Sequence, residues 1–238
     1  MPLQAVESQR LYRQIAEQLR GLIAQGEFEG GRLPAERDLA RQLGVSRPSV
    51  REALIALEVE GWVEVRVGSG IYVRPQNGVA RVNGNGAHGP AEWGPLELMR
   101  ARELVEGEVA ALAARHARKG QIAAMASALA RMREQAESGV VPREGDEAFH
   151  VAVADACGNE VLRDTVLGYW QARSGPLFAR MSDYFENPAS WDAALQEHEG
   201  VLDAIRDRDG AAARDAMHHH LQRAYTRYSA SWRRANRS

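Results

Sequence analysis

Residues 76 to 95 read QNGVARVNGNGAHGPAEWGP, and this stretch limits what the chain can fold into more than any other. Five glycines and two prolines there oppose both helix and strand, which predicts a linker over 76–95. Before it, residues 1–75 carry helix and strand patterns together. After it, residues 96–238 carry helical periodicities one after another, with no internal repeat. A chain of 238 residues is long enough for two domains on either side of such a break.

Composition bounds the class. At 45% hydrophobic and 26% charged, the chain is ordinary globular material able to bury a core. Its single cysteine, Cys157, excludes a disulfide framework and fits a reducing compartment. No run of about 18 apolar residues suggests a membrane span, and the N-terminus lacks a basic segment followed by an apolar one. A soluble, cytoplasmic protein is expected. None of this identifies an activity.

The first segment is more specific. Leu11, Ile15, Leu19 and Leu22/Ile23 recur at helical spacing and predict a helix from about Ser8 to Gln25. GEFEGGRLP breaks it, and a second helix is expected from near Ala35. Gly44 should end that helix, because glycine tolerates the left-handed turn found there. In GVSRPSVREAL, residues 44–54, Ser46 is placed to cap a third helix and Pro48 is acceptable in its first turn. Val50, Ala53, Leu54 and Leu57 form its apolar stripe. Arg47 and Arg51 lie one turn apart, on the face expected to point away from that stripe. WVEVRVGSGIYV then alternates around Gly68-Ser69-Gly70 and predicts a β-hairpin.

Two short helices joined through a glycine and followed by a hairpin make a winged helix-turn-helix. The start of its second helix is the part that reaches base edges. Arginine there can bond guanine bidentately or grip phosphate. A charged helix face is ordinarily just solvated, and residues 1–78 hold ten arginines against ten acidic residues, so no net positive field favours DNA. The ordered set of elements outweighs this.

RLPAERDLARQLGVSRPSVREALIALEVEGWVEVRVGSGIYV resembles the DNA-binding half of the GntR family of bacterial transcription regulators. The resemblance implies DNA contacts by Arg37, Arg47 and Arg51, with Ser46 and Ser49 beside them and the Gly68–Gly70 wing in the minor groove. Arg41 is a further candidate for the DNA backbone. The family often carries a basic residue at the wing tip, where this sequence has Ser69.

The second segment predicts about six helices, at roughly 95–116, 119–137, 143–157, 159–186, 189–207 and 209–235, an all-α antiparallel bundle. Their apolar stripes contain polar residues. Arg102 lies among Leu98, Met99, Val105 and Val109. Asp146 and His150 lie with Phe149 and Val153, His198 with Trp191 and Leu202, and His220 with Met217 and Ala224. Buried polar groups need partners. A single histidine on an apolar face is ordinarily satisfied within the core. Three histidines and an aspartate aimed into one bundle could instead share a metal, with Asp146 and His150 at i and i+4 on one helix. Zn, Ni or Mn suits such a set. Arg102 could then pair with a carboxylate ligand, and Glu106, at the edge of its stripe, is a candidate supporting partner. His218 and His219 have polar helical neighbours and are expected to face solvent. His116 ends a helix, and His88 lies in the linker.

ARELVEGEVAALAA, DEAFHVAVADACGN and EHEGVLDAIRDRDGAAARDAMHHHL resemble the effector-binding (FCD-type) domain of the FadR subgroup within that family, and GPLELMRARELVEGEVAALAA together with EALIALEVEGWVEVRVGSGIYV is most similar to hexuronate-responsive members of that subgroup. The resemblance implies a divalent metal on Asp146, His150, His198 and His220. It also implies effector contacts by Arg102 and by Asn159, which could equally cap a helix. The chain is then expected to be a homodimeric regulator, a repressor rather than an enzyme, released from a short palindromic operator by a small carboxylate such as a sugar acid. Two alternatives remain: the metal itself is the signal, or the site is a metal-dependent hydrolase with Glu106 as base.

Overall fold

The computed structural model describes residues 10–75 and 93–230. It divides into two compact units, one ending at Leu96 and the other beginning at Glu97. Most of the expected linker, His88 included, lies outside the described residues. Among those described, no helix is long and apolar enough to cross a membrane.

The N-terminal unit opens with α1 (Leu11–Gln25), which ends on Gly26 at φ 77. Its buried face begins at Tyr12 and continues through Ile15, Ala16, Leu19 and Ile23. Leu11 is exposed, contrary to the stripe expected from spacing. After a short 3-10 turn at Glu29–Gly31 come α2 (Glu36–Leu43) and α3 (Arg47–Val59). Gly44 sits at φ 66 between them, and the Val45 N–H reaches back to the Ala40 carbonyl. The Ser46 hydroxyl accepts the Ser49 N–H at 3.2 Å and so caps α3. Strands β1 (Val63–Arg66) and β2 (Gly70–Val73) pair antiparallel, Val63 opposite Val73 and Arg66 opposite Gly70. A bridge from Arg32 to Tyr72 adds a third strand-like edge. The core joins α1 to Val50, Ala53, Leu54 and Leu57 of α3.

The second unit is entirely helical: α4 (Pro95–His116), α5 (Lys119–Glu137), α6 (Arg143–Asp155), α7 (Glu160–Arg173), α8 (Pro176–Phe185), α9 (Pro188–Arg206) and α10 (Gly210–Ser229). The helix expected over 159–186 is two helices. Pro176 lacks the N–H that would continue α7, and Ser174-Gly175 turns the chain. The other breaks fall where turn residues predict them. Asn159 and Asp209 cap α7 and α10, and Asn187 forms a capping box with Ser190 ahead of α9.

Packing sets where α6 lies. A methyl group on Gly145 would sit 2.5 Å from Met132 Cγ and 2.8 Å from the Met132 backbone nitrogen, so α5 and α6 meet at a point only glycine allows. Alanine ordinarily stabilises a helix by about 1 kcal/mol over glycine. Here a backbone atom blocks it, and overpacking of this kind costs about 1–3 kcal/mol. Gly145→Ala is therefore expected to destabilise the protein, read as a lower urea midpoint at unchanged slope.

Candidate functional site

Two sites emerge, one in each unit. In the first, the cleft between the β-hairpin and the helix pair has a volume of about 770 Å³ and is lined by Arg32, Arg37, Arg47, Arg66 and the Gly68–Gly70 turn. Arg37 is 80% exposed at its side chain and Arg41 is comparably open, both within ion-pair reach of Asp38. Ser46 and Ser49 sit at the start of α3 with hydroxyls 2.8 Å apart. Gly68 and Gly70 take φ 80 and 144, and the Ser69 hydroxyl meets the Tyr72 hydroxyl at 3.0 Å.

Arg51 corrects an expectation. It is 1% exposed rather than on an open face, since α3 is buried on nearly every side from Val50 to Glu58. Its Nε and Nη2 donate to Glu36 at 2.9 and 2.8 Å, and Arg47 Nε donates to the same carboxylate at 3.0 Å. Burial lowers the Arg51 pKa from its usual value, and the Glu36 charge and hydrogen bonds oppose that shift.

In the second unit, α6, α9 and α10 bring Asp146, His150, His198 and His220 together. All four are buried, with one donor atom from each within 4.8 Å of all the others. His198 Nε2 lies 3.1 Å from Asp146 Oδ1 and 3.2 Å from His150 Nε2. The opposite ring nitrogens are already committed. His150 Nδ1 meets Glu106 Oε2 at 2.5 Å, His198 Nδ1 meets the Ala194 carbonyl at 2.6 Å, and His220 Nδ1 meets Glu197 Oε2 at 2.8 Å. A carbonyl and carboxylates accept, so each Nδ1 carries the proton and each Nε2 presents a lone pair inward. Burial pushes the His150 and His220 pKa values down. For His220 the neighbouring histidines add to the effect, so burial disfavours the charged form of these two rings. Lone pairs 3.2 Å apart and facing a carboxylate repel unless a cation stands among them. The donor set fits a divalent metal.

Around the cluster lie two buried ion pairs. Arg102 Nε donates to Glu106 Oε1 at 2.6 Å, and Arg173 Nη1 donates to Asp146 Oδ2 at 3.2 Å. Both guanidiniums lie over the Trp170 ring, 4.5 and 4.3 Å from its centre. Burial works to raise both carboxyl pKa values. Arg102 and His150 nevertheless hold Glu106 at about 2, while the adjacent His198 ring and the Arg173 charge hold Asp146 well below its usual range. The adjoining cavity, lined in part by Arg102, Asp146, Arg173, Trp191 and His220, is about 30 Å³. That volume has room for one or two waters.

Glu106 stands where the helix-edge position suggested, on His150 and Arg102. Arg173, Trp170 and Glu197 were not singled out from sequence, because a partner's usefulness depends on which helices meet. Asn159 is exposed and accepts the Val161 and Leu162 N–H groups at 3.0 and 3.2 Å, so it takes the capping role also expected of it, and it is not among the residues lining the cavity. His219 is exposed as expected, but His218 is not. It packs over Gly107, and its Nε2 is buried without a hydrogen-bond partner among the described residues.

Comparison with known proteins adds the following. Residues 11–73 match the bacterial regulatory proteins of the gntR family, and residues 97–223 match the FCD domain. The Uxu operon transcriptional regulator of Escherichia coli K12 is 37% identical over 92% of this chain and 86% of its own. The Exu regulon transcriptional regulator of the same strain is 37% identical over 92% and 85%. Among solved structures, a GntR protein of Streptococcus agalactiae gives a TM-score of 0.48 at 26% identity, over 90% of this chain and 98% of that one. Lar, which controls the expression of the Listeria monocytogenes agr system, gives 0.50 at 16% identity over 94% and 98%, a likeness of fold.

The Glu36 pair carries a prediction. Removing one partner of a buried ion pair costs about 3–5 kcal/mol, while replacing both with apolar residues costs far less. Arg51→Ala is expected to lower stability by about 3 kcal/mol or more in denaturant unfolding. Glu36→Leu/Arg51→Met together should recover most of that loss.

Proposed function

Since the chain belongs to the gntR family of bacterial regulatory proteins and carries its FCD domain, we propose that it is a DNA-binding transcription repressor whose FCD domain holds a divalent metal and, on it, a small carboxylate effector of the sugar-acid class. That the chain is a transcription regulator rather than an enzyme follows from its family. The observation that carries the rest is the inward convergence of three imidazole Nε2 atoms on the Asp146 carboxylate, with every Nδ1 occupied.

In the DNA-binding unit, Arg37 and Arg47 are the base- and phosphate-reading side chains, Ser46 and Ser49 the phosphate contacts, and Gly68–Gly70 the wing that approaches the minor groove. Arg51 acts through Glu36 and Arg47. A homodimer would present two such units to the half-sites of a palindrome.

In the helical unit, Asp146, His150, His198 and His220 would hold Zn, Ni or Mn, which when bound supplies positive charge and open coordination positions. Charge balance favours an anion there. Asp146 is matched by Arg173 and Glu106 by Arg102, so a divalent ion leaves the buried cluster positive until a carboxylate arrives. Arg102 is the guanidinium placed to meet it. The Uxu and Exu relatives support a sugar acid of the hexuronate type. A hydrolase is disfavoured because Glu106, the candidate base, is held at about 2 by Arg102 and His150 and is too weak to take a proton near neutrality.

A second reading has one observation in its favour. A cavity of about 30 Å³ has room for little more than water, which suits a protein in which the metal itself is the signal.

Melting the protein with and without chelation, against hexuronates and other small hydroxy acids, separates the two. An effector at 100 times its Kd stabilises by about 2.7 kcal/mol. A rise in melting temperature with a hexuronate only in the metal-loaded protein is expected. If no acid shifts it and operator binding follows metal alone, the second reading holds. His150→Ala should abolish the metal-dependent shift and keep operator binding, and Arg47→Ala should do the reverse.

A further inference from the structure

Ser69 leaves the wing tip without a charge of its own, and the N-terminal segment has no net positive field to compensate. The structure places a cation beneath that tip from elsewhere in the chain. Arg32 lies thirty-seven positions before Ser69, on the strand-like edge that bridges Tyr72, with the Leu33 N–H bonded to the Ile71 carbonyl at 2.9 Å. Its Nη2 donates to the Ser69 carbonyl at 2.8 Å, and its guanidinium stands 5.8 Å from the Tyr72 ring centre. It covers Gly70 so closely that a methyl group there would sit 3.0 Å from Arg32 Nε. The wing backbone and this guanidinium therefore form one unit.

The other basic residues of the cleft are partly neutralised. Arg37 stands near Asp38, Arg47 is bonded to Glu36, and Arg66 is forked onto Glu64 at 3.1 and 2.9 Å. Arg32 is exposed and, among the described residues, has no carboxylate partner. Of its five N–H donors, the one hydrogen bond to Ser69 uses one and fixes the direction of the rest.

We propose that Arg32 is the cation of the wing: it binds a phosphate of the duplex beside the minor groove and supplies the charge that Ser69 lacks. The proposal rests on the wing facing DNA. A phosphate contact is not sequence-selective and releases counterions, so its signature is a salt slope rather than a changed preference.

The test is a salt titration of binding by fluorescence anisotropy, on the full chain. The probes are a duplex selected by the protein from a random pool and a scrambled duplex of the same length. Arg32→Gln is the informative variant, because its amide can still donate to the Ser69 carbonyl while the charge is gone. It is expected to weaken both duplexes by a similar factor, about five- to tenfold near 0.1 M salt, and to reduce the slope of log K against log salt by about 1. Arg32→Lys should retain the slope. An unchanged slope in Arg32→Gln overturns the proposal, as does a loss confined to the selected duplex, which would make Arg32 a base reader. Arg47→Ala is the control. If it too leaves binding unchanged, the placement of the whole DNA face has failed, and not that of Arg32 alone.

Discussion

The helical unit depends on one constraint: polar groups buried in a helix bundle must be satisfied from other helices. His150, His198 and His220 are each buried. Their outward nitrogens are met by Glu106 from α4, by the Ala194 carbonyl one turn back on α9, and by Glu197 of α9. Those three contacts fix the tautomers, and the tautomers fix where the lone pairs point. The fit of the core to a metal ion thus follows as much from the acceptors behind the rings as from the rings. A bundle holding the same histidines without those acceptors would be free to turn a protonated nitrogen inward.

The two ion pairs at Trp170 extend the constraint. Arg102 and Arg173 approach the same ring, each tied to a different carboxylate of the cluster. Anything that draws Arg102 towards a ligand loosens Glu106, and Glu106 is the acceptor that orients His150. Guanidinium, carboxylate and imidazole are therefore linked through contacts of hydrogen-bond length. An effector changes operator affinity only to the extent that it binds one arrangement of the protein more tightly than another. This chain of contacts is a place where such a difference can arise.

Much of this was legible in the sequence, for a definite reason. A polar residue inside an apolar period conflicts with its own helix, and Asp146, His150, His198, His220 and Arg102 each announced themselves that way. The winged helix-turn-helix was legible through its punctuation, Gly44, Ser46 and the Gly68–Gly70 turn. Arg51 was not. Helical spacing assigns one apolar face, whereas α3 is enclosed on nearly all sides, and an arginine on its polar face is buried too. The division at Ser174-Gly175 was missed because the apolar pattern runs on across it and only the missing N–H of Pro176 marks the break. Arg173 and Glu197 carry no period of their own. Their roles exist only once α7 stands against α6, and α9 against α10.

The burial of Arg51 also changes what a recognition helix of this kind asks of its arginines. Glu36 receives three N–H groups, two from Arg51 and one from Arg47. The Arg51 fork is spent inside the protein, and its desolvation is offset by the carboxylate it faces. Arg47 gives up only Nε. Both of its terminal nitrogens stay outside that contact, on a side chain that is 52% exposed. The carboxylate therefore holds Arg47 by the stem and leaves its terminal nitrogens open to an outside acceptor. A free arginine would lose rotamer entropy on meeting such an acceptor. One already held at Nε by a buried acid loses less, and the acid stays in place because Arg51 balances its charge.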